Sequence, residues 1–96
     1  MAKGGFVYIM TNRRYGVLYT GVTSDLAARV MQHREGKGSR FTSRYKAKVL
    51  VYIEEYPTIE EAIAREKAVK AWKRMWKIEA IERINPGWED LFERLN

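Results

Sequence analysis

A chain of 96 residues with 18 Lys and Arg against 12 Asp and Glu supports one small basic domain, since two would each be too short to hold a core. Its 46% apolar content, with nine Trp and Tyr, excludes a disordered tail, and no apolar run approaches the roughly 18 residues of a membrane span. The absence of Cys excludes disulfide scaffolds, thiolate zinc sites and Cys nucleophiles, and a single His leaves any metal dependent on carboxylates.

Phe6-Val7-Tyr8-Ile9-Met10 is β-branched and aromatic and reads as a strand. No cleavage site of small residues follows Lys3, so a cytoplasmic address without a membrane partner is expected. After the turn Asn12-Arg13-Arg14-Tyr15-Gly16, Val17 to Val22 forms a second strand and closes a hairpin. Thr23-Ser24-Asp25 supplies an N-cap for a helix from Leu26 to Arg34, which Gly36 ends. Arg40 to Tyr45 is a short helical turn, and Val49-Leu50-Val51-Tyr52-Ile53 is a third strand. That run is apolar on both faces, which predicts a place inside the sheet. Thr58 with Glu61 makes a capping box, and Ile59 to Ile84 carries neither Gly nor Pro, so one long helix or two with a bend follow. Asn85-Pro86-Gly87 ends this stretch, and Trp88 to Asn96 is an amphipathic tail helix using Trp88, Leu91, Phe92 and Leu95 to close the core. The fold class is α+β, a single domain over residues 1–96 with a small three-stranded, mostly antiparallel sheet flanked by helices in the order β-β-α-β-α-α.

The charge is unevenly placed. Residues 1–50 hold ten Lys and Arg against two acids, a net +8, while residues 51–96 come to −2. Arg34, Lys37, Arg40, Arg44, Lys46 and Lys48 crowd one stretch opposed only by Glu35, as a surface that tracks phosphates requires. A solvated basic loop is the alternative.

Ionisable groups on faces that should be apolar are the informative anomalies. At about 100° per residue, Ile59, Ala62, Ile63, Val69 and Trp76 share one arc of the long helix, and Glu66 falls in its middle. The competing reading of Glu66 is a rim carboxylate paired with Lys70. Arg29 and His33, four apart, share the face of Leu26 and Val30. The ordinary roles are a snorkelling Arg and an exposed His near a helix C-terminus. By strand alternation Tyr8 and Tyr19 come near each other on one face of the hairpin, with Gly21 leaving room beside Tyr19 for a backbone or a phosphate. Two phenols, a guanidinium, an imidazole and a carboxylate beside a basic surface suit phosphodiester hydrolysis.

These residues, in this order, resemble the GIY-YIG nuclease superfamily, in particular its small stand-alone bacterial members. Phe6-Val7-Tyr8 stands at the first motif and Tyr19-Thr20-Gly21 at the second, Arg29 follows Tyr19 by ten residues, and Arg29-x-x-x-His33 and Ala62-x-x-x-Glu66 match the later positions. Phe6, Val7 and Thr20 depart from the motif, and Val22 stands where repair-associated members carry Lys. The resemblance implies a metal-dependent endonuclease that hydrolyses DNA phosphodiester bonds with one Mg²⁺ or Mn²⁺, as in DNA repair enzymes. In that reading Glu66 ligates the metal and Arg29 grips the scissile phosphate. Tyr19 activates the attacking water or is its general base, with Tyr8 in support and His33 as proton relay or phosphate contact. Arg34, Lys37, Arg40, Thr42, Arg44 and Lys46 hold the DNA backbone. The alternatives are a non-catalytic nucleic-acid-binding module on the same scaffold and a protein-binding module whose Trp72, Trp76 and Trp88 meet a partner or a second copy, as in a weak homodimer.

Overall fold

Strand residues of both faces are apolar here because helices cover the sheet twice over. The computed structural model describes residues 4–95. β1 (Gly5–Thr11) and β2 (Leu18–Thr23) form the expected antiparallel hairpin, with Tyr8 opposite Gly21 and Met10 opposite Tyr19. β3 (Val49–Tyr56) pairs antiparallel with the other side of β1, with an irregularity at Ile9/Met10, so the strand order is β2-β1-β3. β1 is therefore the central strand, and β3, expected inside the sheet, lies at its edge. Apolarity on both sides of β3 reports cover above and below, not a neighbour on each flank.

α1 (Leu26–Arg34) starts where the Asp25 carboxylate accepts from the Ala28 amide at 3.2 Å. α2 (Arg40–Tyr45) is capped by Ser39, and α3 (Ile59–Lys70) by Thr58, whose hydroxyl accepts from the Glu61 amide at 3.2 Å. Each cap satisfies an amide that the helix leaves free and is worth about 1 kcal/mol. α4 (Arg74–Ile84) follows, and a 3₁₀ turn at Leu91–Leu95 ends the described chain. The tail expected as a helix is thus a tighter turn, and Asn96, its expected last residue, lies outside the described residues. The α+β class and the antiparallel three-stranded sheet stand as expected.

Val7, Ile9 and Val51 face α3 and α4 through Ala62, Val69, Ile78 and Ile81, with Trp88 closing that side. Tyr8, Met10 and Leu50 face the other way, onto Leu26 and Val30 of α1, Ala47, and Leu91 of the tail. Each fully buried aliphatic chain contributes about 1.5–3 kcal/mol. Asn85 is more than the terminator expected of it: buried, it donates to the Val51 and Glu89 carbonyls at 3.1 and 2.8 Å and ties the tail to β3.

The stretch from Ile59 to Ile84 breaks at Ala71–Lys73, although no Gly or Pro occurs there. Trp72 is half-buried against the core and carries the Arg65 guanidinium over its ring at 4.9 Å. Because of this break a single helical angle cannot be counted through to Trp76. Trp76 is 52% exposed and Ile63 39%, so the apolar arc expected for this helix narrows to Ile59, Ala62 and Val69.

Candidate active site

The face that carries α1 assembles four of the expected residues around one phenol. Tyr8, on the central strand, has no solvent exposure, and its Oη lies 2.8 Å from His33 Nε2 and accepts from Arg29 Nε at 3.3 Å. The i, i+4 spacing on α1 is what aims Arg29 and His33 at the same oxygen. Gly21 makes the approach feasible, because a Cβ there would overlap the Tyr8 ring and hydroxyl. The space at Gly21 is therefore filled by Tyr8 and does not receive a phosphate, which corrects the expectation from strand alternation.

His33 is completely buried, and the loop before α2 roofs it: a Cβ at Gly38 would overlap the imidazole. Its Nδ1 lies 2.8 Å from Thr42 Oγ1, which in turn lies 2.9 Å from Ser39 Oγ. With Tyr8 Oη accepting from Arg29, the bond to His33 is assigned with the phenol as donor, which leaves the ring proton on Nδ1 toward Thr42. Burial, reinforced by the Arg29 charge, pulls the imidazole pKa down to about 4, so His33 is neutral at physiological pH. Burial likewise pushes the Tyr8 phenol up to about 12, against the opposing hydrogen bond from Arg29, so Tyr8 stays protonated. For Arg29, partial burial pulls downward and is outweighed by its bonds to the phenols, which hold the guanidinium above its ordinary value.

Tyr19 is half-buried, with its ring edge-on to His33 at 5.1 Å and 6.4 Å from Tyr8. Its phenol also bears on the Arg29 guanidinium. Glu66 comes from α3, which packs on the other side of the sheet, yet its charge is near enough to Tyr8 to oppose ionisation of the phenol. The Glu66 side chain is 13% exposed and pairs with Lys70 Nζ at 3.8 Å.

Residues 4–79 match the GIY-YIG catalytic domain. The chain belongs to the GIY-YIG family. It is 42% identical over 77 residues to a UPF0213 protein of Staphylococcus epidermidis, covering 80% of this chain and 93% of that one. A UPF0213 protein of Staphylococcus haemolyticus is 39% identical over 82 residues, or 85% and 98% of the two chains. The solution NMR structure of a UPF0213 protein from Bacillus halodurans superposes with a TM-score of 0.56 at 31% identity, covering 91% of this chain and 92% of that one. Tyr8 and Tyr19, both within the matched residues, lie on adjacent strands of the hairpin.

Among the described residues no three His, Asp or Glu side chains converge, and the acid of the expected set that could hold a divalent cation is Glu66. That donor suits Mg²⁺ or Mn²⁺, hard ions that keep water and phosphate oxygens in the rest of their shell. The exposed Lys70 ammonium is a weak competitor for the carboxylate at 3.8 Å. No helix among the described residues is long and apolar enough to cross a membrane.

The basic surface divides. Lys37, Arg40, Arg44 and Lys46 are exposed, on the loop before α2, on the helix and at its end. Arg34 instead pairs with Asp90 at 3.2 Å and lies over the Phe92 ring at 4.8 Å, tethering α1 to the C-terminal turn. Thr42, expected to contact DNA, has no exposure and its hydroxyl is held by His33 and Ser39. It belongs to the interior of the site, because on α2 it points inward while Arg40 and Arg44 point out. Sequence reasoning also missed Gly38 and Ser39, for which the one available signal was the Ser-x-x-Thr cap spacing after a Gly-rich loop.

Proposed function

We propose that the chain is a single-domain endonuclease that hydrolyses DNA phosphodiester bonds with Mg²⁺ or Mn²⁺. The observation that carries this reading is the Arg29–Tyr8–His33–Thr42 network, which holds a cationic guanidinium beside the half-buried Tyr19 phenol. Arg29, charged at any working pH, takes the scissile phosphate on the N–H groups that Tyr8 and Gln32 do not use. Tyr19, beside that cation, acts as general base: it takes the proton of the attacking water as the new P–O bond forms and the strand's P–O bond breaks, and the leaving strand oxygen becomes a hydroxyl with a proton from solvent. Tyr8 is the wrong residue for that step, since burial keeps it protonated. As a fixed donor and acceptor it positions Arg29, and neutral His33 positions Tyr8 from the interior. Glu66 would hold the divalent cation, which when bound would supply Lewis acidity toward the phosphate oxygens. Lys37, Arg40, Arg44 and Lys46 hold the backbone of the substrate.

The test is cleavage of labelled linear, flapped and branched DNAs with Mg²⁺, Mn²⁺ or EDTA. Metal-dependent nicking that EDTA stops supports the proposal. Salt-sensitive binding with every DNA left intact in both metals would replace it with the non-catalytic module.

A further inference from the structure

Beyond the network lies a pocket of about 290 Å³ at the outer edge of β2, lined by Leu18, Tyr19, Thr20, Phe41, Lys70 and Lys77. Tyr19 is its shared wall with the site above, and Lys70 links it to Glu66. The lining has two ammonium groups and no acid. Lys77 is also crowded: partial burial, then the charges of Lys70 and Arg74, hold its pKa below the ordinary Lys value. Arg74 cannot swing away, because its guanidinium is anchored on the Tyr15 and Gly16 carbonyls at 2.7 Å each. Lys77 and Arg74 have no acidic partner among the described residues and Lys70 has Glu66 alone, so the three cations outnumber the nearby carboxylate and favour an anion at this place.

The other wall is aromatic and outward-facing. Phe41 is 38% exposed, its ring 5.9 Å from Tyr19 and 4.9 Å from Tyr45, which is itself 42% exposed. A folded chain hides such rings unless something covers them in use, and a ring beside a phosphate-binding cluster offers a platform for a base. Thr20 adds a further mark: its buried Oγ1 is without a hydrogen-bond partner among the described residues. A polar ligand reaching this wall would satisfy it.

We infer that this pocket binds the nucleotide next to the scissile phosphate, with that nucleotide's own phosphate between Lys70 and Lys77 and its base stacked on Phe41. The inference rests on the nuclease reading for the word "scissile", but the binding it asserts is measurable without cleavage. The experiment is a titration of the whole chain in EDTA with thymidine 5′-monophosphate, inorganic phosphate or thymidine, followed by amide chemical shifts. The nucleotide should perturb residues 18–20, 41, 70 and 77 and bind at least about fivefold more tightly than inorganic phosphate, as stacking of one base supports. Lys77→Gln should weaken both phosphate ligands by about threefold or more, and Phe41→Ala should remove only the nucleotide's advantage. Both side chains are at the surface, so circular dichroism should show the parent fold. Arg83→Gln, exposed on α4 and outside the pocket, should change nothing. Shifts centred elsewhere, or a nucleotide that binds no better than phosphate, would overturn the subsite. Intact nucleotide binding in a chain that cuts no DNA supports the subsite and removes the nuclease reading alone.

Discussion

His33→Gln should make folding stability less sensitive to acid, and by an amount that the site itself sets. In the native chain His33 is fully buried and its pKa is pulled from 6.5 to about 4. The unfolded chain takes up a proton near the higher value and the folded one near the lower. Stability from this group is therefore complete above pH 6.5 and is lost as the pH falls from there toward 4. The slope approaches about 1.4 kcal/mol per pH unit, so about 2 kcal/mol disappears between pH 7 and pH 5. Glu54 and Glu82, also held below the usual carboxylate range, weaken the fold in acid as well. Burial works against that shift at Glu54 and is outweighed by its Arg65, Tyr52 and Tyr56 hydrogen bonds, and at Glu82 the Trp88 and Tyr15 hydrogen bonds lead. Both chains share those groups, so the difference between them isolates the imidazole. Urea unfolding followed by Trp fluorescence should show the Gln chain weaker by about 1–3 kcal/mol at pH 7, from lost hydrogen bonds to Tyr8 and Thr42. At pH 5 that gap should have shrunk by about 2 kcal/mol. A gap that stays constant with pH would refute a neutral buried His33.

Glu66→Gln should abolish metal-dependent cleavage while leaving DNA affinity and unfolding nearly unchanged, since its pair with an exposed Lys70 is worth a few tenths of a kcal/mol; cleavage at the parent rate would remove Glu66 from the metal site. With Lys37, Arg40, Arg44 and Lys46 as the phosphate contacts, log K for a generic duplex should fall against log salt with a slope near −3.6, roughly 0.9 per contact, and a flat dependence would deny the surface its role. Thr20→Val, nearly isosteric, should stabilise the fold by about 1 kcal/mol in urea unfolding by removing a buried hydroxyl without a partner, whereas a loss of stability would mean that the hydroxyl is already satisfied. Tyr19→Phe and Arg29→Ala should each lower single-turnover cleavage by about 10²–10⁴-fold, and the double variant should be little worse than either, whereas additive losses would show that the two act on separate steps.

Local chemistry made most of the elements legible. The Asp25 and Thr58 caps, the Gly36 stop and the Asn/Gly turn are interactions within a few residues, and α1 begins and ends where those residues place it. The lateral order of the strands was not local. β3 is apolar on both faces because α1 with the tail lies over one and α3 with α4 over the other, and a fully covered edge strand has the same pattern as a central one. The break at Ala71–Lys73 is of the same kind: every residue there tolerates a helix, and it is Trp72 docking on the core and Arg65 that turns the chain.

At the site, periodicity shows which residues share a face but not what covers that face. The spacing of Arg29 and His33 places both beside Tyr8, yet the same spacing fits an exposed His at the end of a helix. What decides between them is α2, whose cap turns Thr42 inward and whose leading loop presses Gly38 onto the imidazole. The pattern Arg40-Phe41-Thr42-Ser43-Arg44 reads from the sequence as a basic segment, with Thr42 one more polar contact among its charges. In three dimensions a single helical turn sends the Arg40 and Arg44 guanidinium groups outward and the Thr42 hydroxyl inward against His33. That division explains why neutralising the charges of α2 should affect binding alone, whereas removing the Thr42 hydroxyl should reach Arg29 through His33 and Tyr8 without touching the DNA.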